Sequence, residues 1–224
     1  MKKSNAVSSW SGGKDSCFAC YKAIQDGYKI THLLNFISRE SQRGCFHGLE
    51  SDLLKLQAER IGIPIVQKEV SSDMKNYEQE FKEAVLELKA KGAEAMVFGD
   101  IYLLEHESWI DRVCGEINIP NVQPLWNVPT LKLMDEFIAL GFKAVIVSCK
   151  ADVLGSEFLG RHIDKDLIQQ FEAMGICPCG ENGEFHTLVV DGPFFKKPIE
   201  ILETRKVLKE GFWKHWFLDI KKYG

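Results

Sequence analysis

The chain has 224 residues, 45% hydrophobic and 27% charged, enough apolar content for a buried core without disulfide staples. Its formal net charge of −4 argues against sequence-blind binding along a nucleic-acid backbone, which needs a basic surface. Seven scattered cysteines fit reduced thiols in a cytoplasmic protein, and neither a leader nor an apolar run of the ~20 residues a membrane span needs is legible.

Residues 6–10 are β-prone and run into Gly12-Gly13. From Lys14 to Gln25 the spacing of Phe18, Tyr21 and Ile24 predicts a helix, closed by Gly27. A second strand covers 30–37. A helix over 49–61 puts Leu53, Leu56 and Ile61 towards a core and stops at Gly62. A third strand covers 63–70. A helix over 76–91 carries Phe81, Val85 and Leu88 on one face, and a fourth strand, 95–98, is cut off by Gly99-Asp100. Strands alternating with helices of this length predict right-handed crossovers and an α/β fold with a parallel, doubly wound sheet. Ligands of such sheets bind beyond the carboxyl ends of the strands, where Ser11-Gly12-Gly13 and Gly99-Asp100 both fall.

Pro120, Pro124 and Pro129 punctuate a boundary, which predicts one unit over 1–126 and a smaller α/β unit over 127–224. In the second, a helix covers 130–140, a strand 142–148, a loop 155–160 and a helix 163–174. A loop rich in Gly, Cys and Asn follows over 176–185, then strands at 187–190 and 199–207 and an aromatic tail over 212–223.

Ser11-Gly12-Gly13-Lys14-Asp15-Ser16 lies between a strand and a helix. Glycines let a phosphate chain approach the backbone and permit positive φ. The N–H groups of Gly12, Gly13 and the first helical turn, with the helix dipole, favour an anion there. Ser11 and Ser16 add hydroxyls, and Lys14 can neutralise departing pyrophosphate. Asp15 would repel a phosphate unless it binds Mg²⁺ or caps a loop N–H. The bland alternative is a glycine turn with a serine cap. The segment matches neither the Walker A pattern nor Gly-x-Gly-x-x-Gly.

Cys179-Gly180-Glu181-Asn182-Gly183-Glu184-Phe185-His186-Thr187 is the other dense polar cluster, either a solvated turn or a place for chemistry on a loop. Cys177-Pro178-Cys179 with His186 lacks the spacing and the second pair of a structural zinc site, and otherwise reads as a redox or sulfur-carrying pair or as packing. His47 follows the second strand's carboxyl end, in a structural or a nucleotide-side role.

The hexapeptide resembles the PP-loop of the N-type ATP pyrophosphatases. Glu181-Asn182-Gly183-Glu184-Phe185-His186-Thr187, with Val190 to Phe195, resembles the hallmark of the diphthine–ammonia ligase family. Gly99-Asp100-Ile101, Pro124-Leu125-Trp126 and Leu159-Gly160-Arg161 fit it in the same order, so the resemblance spans nearly the whole chain. One stretch departs. Where the family commonly carries glutamine and arginine, this chain reads Leu103-Leu104-Glu105-His106-Glu107-Ser108-Trp109, with its first arginine at Arg112.

The resemblance implies an adenine nucleotide α-hydrolase-like (HUP) fold and an ATP-dependent amide ligase. A carboxylate, diphthine on elongation factor 2, would be adenylated with release of pyrophosphate, and ammonia would displace AMP. ATP would meet Ser11, Gly12, Gly13, Lys14, Asp15, Ser16, His47, Gly99 and Asp100. Arg161, Glu181, Asn182, Gly183, Glu184 and Thr187 would meet the acceptor. Lys14, Asp15, Glu184 and His186 would carry the chemistry, Glu184 as the base towards ammonia and Asp15 as the Mg²⁺ ligand. Free ammonia is the simplest nitrogen donor, since residue 2 is Lys2 rather than a cysteine nucleophile. Diphthamide is expected only in archaea and eukaryotes, so a bacterial chain would amidate another carboxylate. An RNA-modifying PP-loop enzyme and a nucleotide-binding regulator are the rival readings. No membrane and no nucleic acid is expected as partner, and a homodimer is left open.

Overall fold

The computed structural model describes residues 4–39, 43–44, 48–71, 74–210 and 214–224. Strands β1 (Asn5–Ser9), β2 (Lys29–Ser38), β3 (Ile65–Val70), β4 (Ala95–Val97) and β5 (Asn121–Val122) form a five-stranded sheet in the order β3-β2-β1-β4-β5. All its pairings are parallel. Helices α1 (Lys14–Gln25), α2 (Ser51–Ile61), α3 (Met74–Ala90) and α4 (Leu104–Glu116) make the crossovers. The strand order reverses between β1 and β4, and a crevice opens at such a reversal.

The side-chain period of a strand divides the core between the two faces. Ala6, Ala95 and Val97 pack with α1 and α2, through Phe18, Ala19, Leu53 and Leu54. Their neighbours Val7 and Met96 pack on the other face with Phe81, Val85, Ile110 and Val113 of α3 and α4.

The second unit contains α5 (Thr130–Ala139), β6 (Lys143–Lys150), a 3₁₀ turn (Ser156–Phe158), α6 (Lys165–Ala173), β7 (Phe185–Asp191), β8 (Ile201–Glu210) and β9 (Lys214–Tyr223). Its sheet is antiparallel, ordered β7-β6-β9-β8. Its core is continuous with that of the first unit. Phe18 of α1 meets Phe137 of α5 edge-on at 5.7 Å, and Phe137 stacks on Phe142 at 4.7 Å.

Helix α4 and strand β5 are absent from the sequence reading. The first turns of α4, Leu104-Glu105-His106-Glu107-Ser108, carry no apolar period, and its buried face begins only at Ile110. Two-residue β5 is too short to announce itself. The stretch read as loop over 155–160 contains the 3₁₀ turn. Among the described residues no helix is long and apolar enough to cross a membrane.

Candidate active site

Between β1 and α1 the backbone reverses through Gly12 at φ +81°. A Cβ there would lie 2.4 Å from Leu54 Cδ2 and 2.9 Å from Gln57 Oε1. Gly13 is the N-cap in ordinary extended backbone (φ −83°, ψ 175°), so only the first glycine uses the left-handed region. Having no side chain, Gly13 makes no side-chain cap to the first turn of the helix. Ser11 Oγ and Ser16 Oγ lie 3.1 Å apart, and the Gly13 N–H donates to Ser11 Oγ at 3.3 Å. A Cβ on Gly99 would come within 2.7 Å of the Asp15 carbonyl carbon, so the end of β4 rests directly on the first turn of α1.

The loop is held from behind by Gln57 of α2, which is fully buried. Its Oε1 accepts from Trp10 Nε1 at 2.9 Å, and its Nε2 donates to the carbonyls of Gly12 (3.0 Å) and Val189 (2.7 Å). The Val189 N–H donates to the same Gly12 carbonyl at 3.0 Å. A polar side chain among Leu53, Leu54, Ala58 and Ile61 was the sequence signal for this residue, and it was not read.

The two signature segments meet at Lys14. Its backbone N–H donates to Thr187 Oγ1 at 3.0 Å. Its side chain is 4% exposed, and Nζ binds both Asp15 carboxylate oxygens, at 2.9 and 2.8 Å, and the Cys179 carbonyl. Burial pulls the Lys14 ammonium down, but the charge of Asp15, with Cys179 and Glu181 behind it, more than offsets this and holds its pKa above the ordinary value.

Glu184, the sequence-predicted base, is 7% exposed, and its carboxylate accepts from Cys177 N (3.2 Å), Asn182 N (2.9 Å) and Asn182 Nδ2 (2.9 Å). It ties together the turn through Gly183. Glu181 of the same turn is half-buried. Burial first, then the charges of Asp15 and Asp100, push its carboxyl up to about 7, against the opposing pull of Lys14 and His106. Asp100, one residue past Gly99, places its Oδ1 2.9 Å from His106 Nδ1, within hydrogen-bonding distance. Hydrogen bonding to Asp100 is the largest influence on His106 and raises its pKa.

Gly12, Gly13, Lys14, Asp15, Ser16, Gly99, Asp100, Glu181 and Thr187 are thus brought together at the switch point. Asn182 is exposed beside them, and half-buried His186 pairs opposite Ser148 in the second sheet. Arg161 instead binds Gln170 Oε1 at 2.8 Å and stacks over Phe158. His47 lies outside the described residues. The sequence reading missed Gln57, His106 and Tyr102, whose hydroxyl donates to Cys177 Sγ at 3.6 Å. Cys179 Sγ points elsewhere, to the Thr130 carbonyl at 3.7 Å.

Two family models match this chain: diphthamide synthase N-terminal domain over residues 3–120, and diphthamide synthase C-terminal domain over residues 129–224. A Schizosaccharomyces pombe protein named diphthine–ammonia ligase is 25% identical over 234 residues, covering 94% of this chain, which spans only 38% of that protein's length. Proteins of the same name from Danio rerio and Homo sapiens are each 26% identical, cover 88% of this chain, and are themselves covered to 86% and 82%. A solved structure described as a predicted subunit of tRNA methyltransferase from Methanocaldococcus jannaschii aligns with TM-score 0.46 at 18% identity, over 87% of this chain and 99% of that one, too distant to bear on function.

Proposed function

The chain belongs to the diphthamide synthase family, and on that premise we propose that it is an ATP-dependent amide ligase that adenylates a protein carboxylate and lets ammonia displace AMP. The observation that carries the reading is the contact between the two signatures: Lys14 of the glycine loop is bound through its backbone to Thr187 and through its ammonium to Cys179. Nucleotide-gripping and acceptor-facing segments share one wall.

The triphosphate lies against Gly12, Gly13 and the first turn of α1, flanked by Ser11, Ser16 and Asp100, where the N–H groups not taken by Thr187 and the helix dipole offset its charge. Acceptor carboxylate and polyphosphate are both anions, so their approach needs compensating positive charge. Lys14, kept protonated by Asp15, supplies it beside the leaving pyrophosphate. Asp15 offers oxygen donors on that same turn, with a side chain 29% exposed. That fits magnesium, which binds through one or two carboxylates plus substrate phosphates, and the ion would neutralise phosphate charge there. Glu181, Asn182 and Gly183 form the acceptor side of the mouth, and Glu184 holds their turn in shape. The acceptor class is a carboxylate on a translation factor such as diphthine on elongation factor 2, and the reaction belongs in the cytoplasm, where such a factor meets ATP.

The test is the product pair. Incubation with diphthine-bearing elongation factor 2, ATP, magnesium and ammonium salt should yield AMP and pyrophosphate in equal amounts with the amide, and Lys14→Ala should lose this turnover. ADP and phosphate as the stoichiometric products would sink the reading.

A further inference from the structure

The displacement step, which rests on the reading just given, releases a proton. Ammonia's lone pair forms a C–N bond to the acyl carbon, and the carbonyl pair moves to oxygen. Collapse of the tetrahedral species breaks the C–O bond to AMP. One N–H proton must leave the nitrogen for the neutral amide to form, and a positioned base takes it. The carboxylate of Glu184 is unsuited to this, because backbone and side-chain N–H groups from Cys177 and Asn182 already occupy it inside the loop.

We infer that His106 is that base and that Asp100 is its positioning residue. His106 is on the first turn of α4, and its imidazole reaches back to Asp100, which follows β4. Asp100 Oδ1 holds Nδ1 at 2.9 Å, which fixes the neutral ring as the Nδ1–H tautomer and leaves Nε2 with its lone pair. Gly99, the neighbour of Asp100, rests on the first turn of α1, so the pair is placed beside the glycine loop. Glu181 feels the charges of Asp100 and His106 as well as those of Asp15 and Lys14. The His106 side chain is 59% exposed, open for the proton to pass on to water. Trp109 and Arg112, further along α4, hydrogen-bond to Glu78 of α3 and fix the helix that carries it. The charged groups facing His106 are Asp100 from the end of β4, Glu181 from the second unit and Glu105 from its own helix, and each favours its protonated form.

The experiment compares two nucleophiles. Ammonia arrives mostly as ammonium at neutral pH and must lose protons on the way to amide, whereas hydroxylamine is already neutral there and needs far less base assistance. With diphthine-bearing elongation factor 2 and ATP, His106→Ala should lower the ratio of amide to hydroxamate by roughly a hundredfold to ten-thousandfold, the worth of a general base. Added imidazole should restore part of it. Asp100→Asn should move the acidic limb of amide formation to lower pH, because it removes the group that raises His106. An unchanged ratio in His106→Ala, or a ratio that collapses only in Glu181→Gln, overturns the inference. A wild-type enzyme that makes neither product with this acceptor refutes the acceptor assignment, and the inference is then decided by nitrogen NMR of His106. The Nδ1–H tautomer in wild type, lost in Asp100→Asn, supports it. A dominant Nε2–H tautomer overturns it.

Discussion

The backbone N–H of Lys14 donates to Thr187 Oγ1 across 173 residues of sequence, at 3.0 Å, in a buried setting. That bond spends one of the helix's first N–H groups on the second sheet rather than on ligand. Thr187→Val keeps the shape and removes the acceptor. The expected cost is about 1–3 kcal/mol, that of an unsatisfied buried donor. Urea unfolding should show the loss, and nucleotide titration should show weaker ATP binding as the start of α1 loosens. Wild-type values for both would mean water replaces the hydroxyl without penalty.

The two loop glycines should behave differently. Gly12→Ala places a Cβ 2.4 Å from Leu54 Cδ2 at φ +81° and should destabilise the fold by more than the roughly 1–3 kcal/mol of left-handed strain alone. Gly13→Val sits in extended backbone and should fold, yet lose ATP affinity because its branches fill the space before the helix N-terminus. Circular dichroism melts beside nucleotide titration separate the two outcomes.

Glu181 gives a pH signature. Its folded pKa of about 7 lies above the unfolded carboxylate value, so the folded state binds the extra proton. Its contribution is therefore fully present below the unfolded pKa and is lost as pH rises through about 7. Glu181→Gln should match wild-type stability near pH 4 and exceed it at pH 8 (approximate ends of the window set by the linkage relation). Denaturant midpoints across that range test it, and a constant difference between the two proteins would contradict it.

Glu184→Gln should mainly loosen the loop. One carboxylate oxygen that accepts an N–H becomes an amide nitrogen, and the three bonds to Cys177 and Asn182 cannot all persist. A lower melting temperature with ATP affinity within a few fold of wild type is expected, alongside slower amide formation. Loss of product at unchanged stability would return the base role to Glu184.

Much of this was legible in sequence because it is local. Helix α1 has the bounds its apolar spacing and flanking glycines indicate, Lys14–Gln25. Phe81, Val85 and Leu88 are buried as their spacing predicts. The hexapeptide and the Glu181-to-Thr187 segment are each legible in sequence, whereas the bond from Lys14 to Thr187 that joins them depends on how the two sheets pack. His106 was hidden for a similar reason. Its partner Asp100 is six residues away across a strand end and a helix start, and that start carries no apolar period. Gln57 was hidden because a lone polar residue on an apolar face looks like a tolerated exception until its three partners are seen.

The shared carbonyl of Gly12 constrains how this molecule can move. An enzyme can exclude water by swinging one domain over another about a hinge. Here such a swing would pull Val189 off Gly12, strip Gln57 of a partner and part Phe18 from Phe137 within one continuous core. The glycine loop and the Glu181-to-Thr187 segment are therefore held as one body. Any closure over a ligand is thereby left to side chains and short turns rather than to a swing of one sheet against the other.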